Sequence, residues 1–112
     1  MVCDNDDVAL DLVVTDLRLE GHDIVATAVT GEEAVDRCAE TAPDVLVVDL
    51  RMPPGIDGVE AARRVLDARP TTRIVLHTNH LDSKALAASA QFGIVYVLKA
   101  DLRALRKAVR GT

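Results

Sequence analysis

The chain has 112 residues, 49% of them hydrophobic and 28% charged, which is one domain of ordinary globular composition and excludes intrinsic disorder. Its formal net charge of −5 argues against wrapping a nucleic-acid backbone, which calls for a basic surface. No apolar run approaches the ~18 residues of a membrane span. Trp is absent and Tyr and Phe occur once each, so aliphatic side chains must fill the core, which favours buried parallel strands under helices. The acidic start, Met1-Val2-Cys3-Asp4-Asn5-Asp6-Asp7, lacks the basic and then apolar pattern of a signal peptide. Cys3 and Cys38 form neither a disulfide framework nor a zinc pattern and read as small buried hydrophobes. The expectation is a soluble cytoplasmic domain spanning residues 1–112.

Taken in chain order, short apolar and largely β-branched runs predict strands at Met1–Cys3, Ile24–Val29, Val45–Val48, Ile74–Leu76 and Ile94–Leu98. Helical spacing fills the gaps. Over Asp7–Glu20 the polar stripe is Asp7, Asp11, Thr15 and Arg18, with apolar residues on the other face. Over Glu32–Ala42 the stripe expected to be buried is Ala34, Val35, Cys38, Ala39 and Ala42. In the last helix Leu102, Leu105, Ala108 and Val109 should face inward, leaving Arg103, Arg106, Lys107 and Arg110 in water. Thr30-Gly31-Glu32-Glu33 and Asp57-Gly58-Val59-Glu60 read as capping boxes, and Asp82 and Asp101 as N-caps. Strands alternating with helices predict an α/β fold: a doubly wound five-stranded parallel sheet, (βα)5, strand order 2-1-3-4-5, with helices on both faces and right-handed crossovers.

In such a sheet ligands bind outside the carboxyl ends of the strands. The polar residues that follow the apolar runs are Asp4-Asn5-Asp6, Asp49, Thr78-Asn79 and Lys99. Acidic corners, a hydroxyl and an ammonium converging on one edge suit a divalent cation and a phosphoryl group.

Val47-Val48-Asp49-Leu50-Arg51-Met52-Pro53, then Asp57-Gly58, Thr78 closing the fourth strand and Tyr96-Val97-Leu98-Lys99 closing the fifth resemble the receiver domain of two-component response regulators, of the chemotaxis-regulator kind. The seventeen positions between Asp4 and Gly21 agree with that family's first helix and turn. The resemblance covers essentially the whole chain. It implies that Asp49 is the phosphoacceptor, attacking the phosphohistidine of a histidine kinase or phosphotransfer protein to form an acyl phosphate. It also implies that Asp4, Asn5, Asp49 and the backbone carbonyl of Arg51 hold Mg2+, and that Lys99 bridges to the phosphoryl oxygens. Thr78 then swings toward them and Tyr96 turns inward, changing the face made by helix 4, strand 5 and helix 5 for a downstream output domain or protein. The activity is that of a signalling switch rather than an enzyme, with self-catalysed phosphorylation and dephosphorylation. Pairing of two copies through helices 4 and 5 is left open.

Four positions depart from the pattern. Asn5 replaces an acid that touches the metal; at ~4 Å and an effective dielectric near 20, one lost attraction is on the order of 4 kcal/mol before desolvation. Asn79 crowds a position usually small. Ala100 follows Lys99 where proline is common, so a cis peptide is not expected there. Pro53-Pro54-Gly55 runs one residue longer than usual before Asp57 and stiffens the loop. A degenerate, phosphate-independent interaction module is therefore the second reading. A third compares Asp4-Asn5-Asp6-Asp7-Val8 with the D-x-D-x-(T/V) motif of haloacid-dehalogenase-type phosphatases, with Asp4 as nucleophile and Asp6 as general acid–base; the short chain and the missing acidic pair after the fourth strand count against it. Asp6 otherwise reads as a helix cap, and a site built from His22, His77 and His80 is not supported by their spacing. The last helix ends at Arg110-Gly111-Thr112 with no output segment following, as in a stand-alone receiver or a piece of a longer regulator.

Overall fold

A computed structural model describes residues 1–111. Its elements are β1 (Val2–Cys3), α1 (Asp7–Leu19), β2 (Thr27–Ala28), α2 (Gly31–Thr41), β3 (Val45–Val48), α3 (Gly58–Ala68), β4 (Arg73–Thr78), α4 (Ser83–Phe92), β5 (Val95–Leu98) and α5 (Leu102–Arg110). The strands pair in parallel in the order β2-β1-β3-β4-β5, as expected.

Strand periodicity sorts the core into two layers. In β3 and β4, Leu46, Val48, Ile74 and Leu76 face α2, α3 and α4, together with Ala34, Cys38, Ala62, Val65 and Ala85. Val47 and Val75 face the opposite way, against Val13, Val14 and Leu17 of α1 and Leu105, Ala108 and Val109 of α5. Leu46 and Leu76 have no exposed surface, and each such burial is worth roughly 1.5–3 kcal/mol.

β1 and β5 each begin one residue later than expected, and two strands differ by more. β2 is confined to Thr27–Ala28 because it is an edge strand whose only neighbour, β1, offers two residues to pair with. β4 is longer, since Arg73 pairs with Val45 while His77 and Thr78 pair with Val97 and Leu98. The Lys99–Ala100 peptide is not cis; the one cis bond among the described residues is Pro53–Pro54.

All the expected caps form. Asp6, Thr30, Asp57, Asp82 and Asp101 accept backbone N–H bonds in the first turns of α1 to α5. The reciprocal arms of the two capping boxes do not. The Glu33 carboxylate takes the N–H of Val29, one residue before the cap, and Glu60 is drawn to Arg63 and Arg64.

Helix faces bring the main corrections. α1 has more apolar residues than one face can bury; Leu10, Val13, Val14 and Leu17 face the sheet, while Val8, Leu12 and Leu19 are exposed. Asp16 is buried, because Arg106 of α5 donates to both its oxygens, at 3.2 and 3.0 Å from Nε. Arg106 is therefore held in this clamp, with only part of its side chain left in water. In α2, Ala39 and Ala42 are exposed, Ala42 forming the C-cap at φ 48°. α5 ends at Arg110 with Gly111 as its cap; Thr112 lies outside the described residues. No helix of the described residues is long and apolar enough to cross a membrane.

Candidate functional site

Parallel pairing brings the carboxyl ends of β1, β3, β4 and β5 to one edge. The N–H of Asp49 donates to Cys3 O at 3.0 Å and that of Lys99 to Thr78 O at 2.8 Å, so each polar residue sits one step beyond a ladder that fixes its height. Asp4, Asp49 and Lys99 meet there. Lys99 Nζ donates to Asp4 Oδ2 at 2.7 Å and to Asp49 Oδ2 at 3.2 Å.

The two carboxylates are held differently. Asp4 is buried, with its other oxygen accepting the N–H of Asp6 at 2.9 Å. The Asp49 side chain keeps 13% of its surface exposed, and its Oδ1 accepts the N–H of Leu50 at 2.8 Å. One ammonium thus serves two acids and stands closer to Asp4. Burial, and then the charge of Asp4, raise the Asp49 carboxyl above its ordinary range despite the opposing pull of Lys99. Burial alone would lower Lys99, but the two carboxylates together outweigh it and raise the ammonium.

Gly58 supplies a support that the sequence reading did not explain, having taken Asp57-Gly58 as a helix start and as part of the family pattern. A Cβ on Gly58 would lie 2.1 Å from the backbone carbonyl oxygen of Asp49, and the Gly58 N–H donates to Leu50 O at 2.8 Å. Only glycine lets α3 begin this close to the strand end. The neighbouring Asp-Gly motif was the available signal.

Thr78 is buried at the end of β4, its hydroxyl accepting the N–H of His80 at 3.4 Å. Tyr96 is half-buried; its hydroxyl donates to His80 O and accepts the Asp82 N–H at 3.1 Å. Asp82 is more than the plain cap expected, because it also pairs with the Arg51 side chain at 3.3 Å. The loop between β4 and α4 is thereby tied to β5 on one side and to the loop after β3 on the other. His77 is buried beneath this edge, and burial, followed by the charge of Lys99, lowers its imidazole to about 4.

Asn5 and Asn79 are exposed. Asp6 is also exposed, and its carboxylate caps α1 by accepting from Val8 and Ala9 rather than pairing with Lys99, which weakens the acid–base role of the phosphatase reading. Among the described residues no cluster of three or more His, Cys, Asp or Glu side chains is arranged for a metal. The acids at this edge are Asp4 and Asp49. The amide of Asn5 and the carbonyl of Arg51, the other two expected ligands, are likewise oxygen donors. Mg2+ is commonly held by one or two carboxylates while keeping several waters, so these residues fit it.

A family profile described as the response regulator receiver domain matches residues 1–110. Transcriptional regulatory protein LnrK of Bacillus subtilis (strain 168) is 30% identical over 105 residues, which are 93% of this chain and 47% of LnrK. Oxygen regulatory protein NreC of Staphylococcus haemolyticus (strain JCSC1435) is 38% identical over 81 residues, 71% of this chain and 37% of NreC. The chain thus spans less than half the length of these relatives. Among solved structures, the signal receiver domain of the putative response regulator NarL from Mycobacterium tuberculosis superposes with a TM-score of 0.89 at 31% identity, covering 98% of this chain and 90% of that one.

Proposed function

This chain belongs to the response regulator receiver domain family, a family of signalling domains, and from that premise we propose that it is a phosphoacceptor switch with Asp49 as the acceptor. The observation that carries the reading is the shared ammonium of Lys99, held by the buried Asp4 while the partly exposed Asp49 stands second in line. An acid in that position is reachable, raised in basicity and incompletely paired.

In the reaction an Asp49 carboxylate oxygen attacks the phosphorus of a kinase phosphohistidine. The P–N bond breaks, the imidazole leaves with the electron pair and takes a proton from solvent, and an acyl phosphate remains. Lys99 keeps its hold on Asp4 and turns its second contact from Asp49 to a phosphoryl oxygen. Asp4, Asn5, Asp49 and the Arg51 carbonyl would hold Mg2+, which when bound neutralises charge on the phosphoryl oxygens. Having two carboxylates rather than three predicts weak metal affinity. Thr78 donates its hydroxyl to the phosphoryl group; because His80 contacts both Thr78 and Tyr96, that movement is passed to the β4–α4 loop and to Tyr96. The altered face of α4, β5 and α5 then meets an output domain or protein. A cytoplasmic histidine kinase pathway, without direct nucleic-acid contact by this chain, is part of the same reading, and residues 1–112 are its receiver unit.

The test is an intact-mass spectrum after incubation with Mg2+ and acetyl phosphate or phosphoramidate, followed by a histidine kinase trial. A gain of one phosphoryl mass that disappears in Asp49→Ala is the expected result. A gain that survives Asp49→Ala and disappears in Asp4→Ala would return the phosphatase reading. No gain from either donor type, in folded protein, would make this a phosphate-independent interaction module.

A further inference from the structure

We infer that Glu32, in the first turn of α2, is a positioning residue for the metal end of the site. It holds the loop between β3 and α3, whose Arg51 carbonyl is an expected Mg2+ ligand. The inference deepens the phosphoacceptor reading and rests on it.

Residues 51–56 form a flap that leaves the sheet after Leu50 and is closed at its neck by the Gly58 N–H on Leu50 O at 2.8 Å. On its inner side Met52 is buried, with its Sδ 3.3 Å from Cys3 Sγ. On its outer side Pro53 and Pro54 have no backbone N–H to donate, which leaves the amides of Gly55 and Ile56 on the way to Asp57. The Ile56 N–H donates to both oxygens of Glu32, at 3.3 Å each. Among the described residues, this shared bond is the one hydrogen bond made by the backbone of residues 51–56.

Room for the grip is built in on both sides. A Cβ on Gly55 would lie 2.2 Å from Glu32 Oε1, and one on Gly31 would lie 2.6 Å from Ile56 Cγ1. The first turn of α2 and the flap therefore interlock through two missing side chains. The neighbouring Glu33 is engaged elsewhere, with the Val29 N–H and Arg37. The flap is one residue longer than the family pattern, so it has more conformations to give up before Arg51 is fixed. Glu32 removes some of them from the far end. With two carboxylates in place of three, the site leans more heavily on its backbone carbonyl, and loosening this loop should be felt in metal affinity.

Mg2+ alone, titrated into the full chain and followed by amide NMR, gives the dissociation constant without any phosphodonor. Glu32→Ala should raise it roughly 3–10-fold, less than the loss of a partner that touches a metal ligand directly, with faster Ile56 amide exchange and an almost unchanged urea midpoint. Glu32→Gln keeps an oxygen for the Ile56 N–H and should stay within about twofold of wild type. Gly55→Ala should match Glu32→Ala, because its methyl expels the carboxylate, and the double variant should be no weaker than either single one. With phosphodonor present, excess Mg2+ should restore the rate of phosphoryl gain in Glu32→Ala, so that KM for the metal shifts and kcat does not. A wild-type dissociation constant in Glu32→Ala overturns the proposal and leaves the phosphoacceptor reading standing. Glu32→Gln as weak as Glu32→Ala overturns it too, since charge rather than the grip on Ile56 would then be at work. A wild-type chain that takes up no Mg2+ overturns this inference together with the metal part of that reading.

Discussion

Two ionic clusters on this small molecule, each holding a buried acid, are built on opposite rules. Between α1 and α5, Arg106 meets Asp16 one to one, with both carboxylate oxygens satisfied. At the carboxyl edge of the sheet, Lys99 alone faces two acids. In the first cluster the hydrogen bonds from Arg106 hold the Asp16 carboxyl below its ordinary range against the opposing effect of burial. In the second, burial and a like charge raise Asp49. A matched pair ties two helices together, whereas a mismatched set keeps one acid available for another cation or for a phosphoryl group. Charge balance, more than burial, separates the structural cluster from the chemical one.

The comparison breaks most severely in Lys99→Met, which leaves two buried carboxylates with no cation. Removing one partner of a buried ion pair costs about 3–5 kcal/mol, read from the urea midpoint at neutral pH, and phosphoryl gain should be lost as well. Gly58→Ala changes no charge but drives a methyl into the Asp49 carbonyl. It should cost about 1–3 kcal/mol as overpacking and slow phosphorylation, while the same change at the exposed Gly21, where a Cβ meets nothing within 4 Å, should leave phosphorylation untouched. Asp16→Asn should cost only about 1 kcal/mol, because the Arg106 side chain is 39% exposed and water takes over its solvation.

Acid titration sharpens the contrast most finely, since the two acids have opposite signs. Asp16, lowered in the fold, contributes stability above its unfolded value near 3.8 and loses it as the pH falls through the folded value. Asp49, raised in the fold, carries its favourable contribution below 3.8 and loses it as the pH rises through its folded value. Asp49→Asn should therefore stabilise the protein at neutral pH, with Lys99 still paired to Asp4, and that gain should vanish on acidification. The penalty of Asp16→Asn should vanish on acidification too, from the other side. Urea midpoints for both variants between about pH 3 and 7 check this; two curves of the same sign would undo the distinction.

Much of the chemical cluster was legible in the sequence, because each of its members follows an apolar run, and parallel strands bring such positions to one edge. The caps were legible for a similar reason, as each lies within three residues of the N–H it accepts. What stayed hidden depended on distance or on surplus. Asp16 meets a partner 90 positions away, and nothing local distinguishes it from an exposed acid. α1 offers apolar residues on more than one side, and periodicity alone does not say which of them the sheet will take. Gly58 was read as part of a cap because a missing Cβ reveals its purpose only when the carbonyl it accommodates is in view. The tertiary short-cut from Tyr96 to the β4–α4 loop, formed over 14 and 16 residues, escaped for the same reason as Asp16.

That hooked tyrosine has a practical consequence. The chain has one Tyr and no Trp, so essentially all its near-ultraviolet emission comes from the ring whose hydroxyl grips His80 and Asp82. The protein carries its own dye at the joint proposed to move. Metal addition, phosphoryl transfer and decay can be followed in real time by tyrosine fluorescence on unlabelled material, without any other chromophore to subtract.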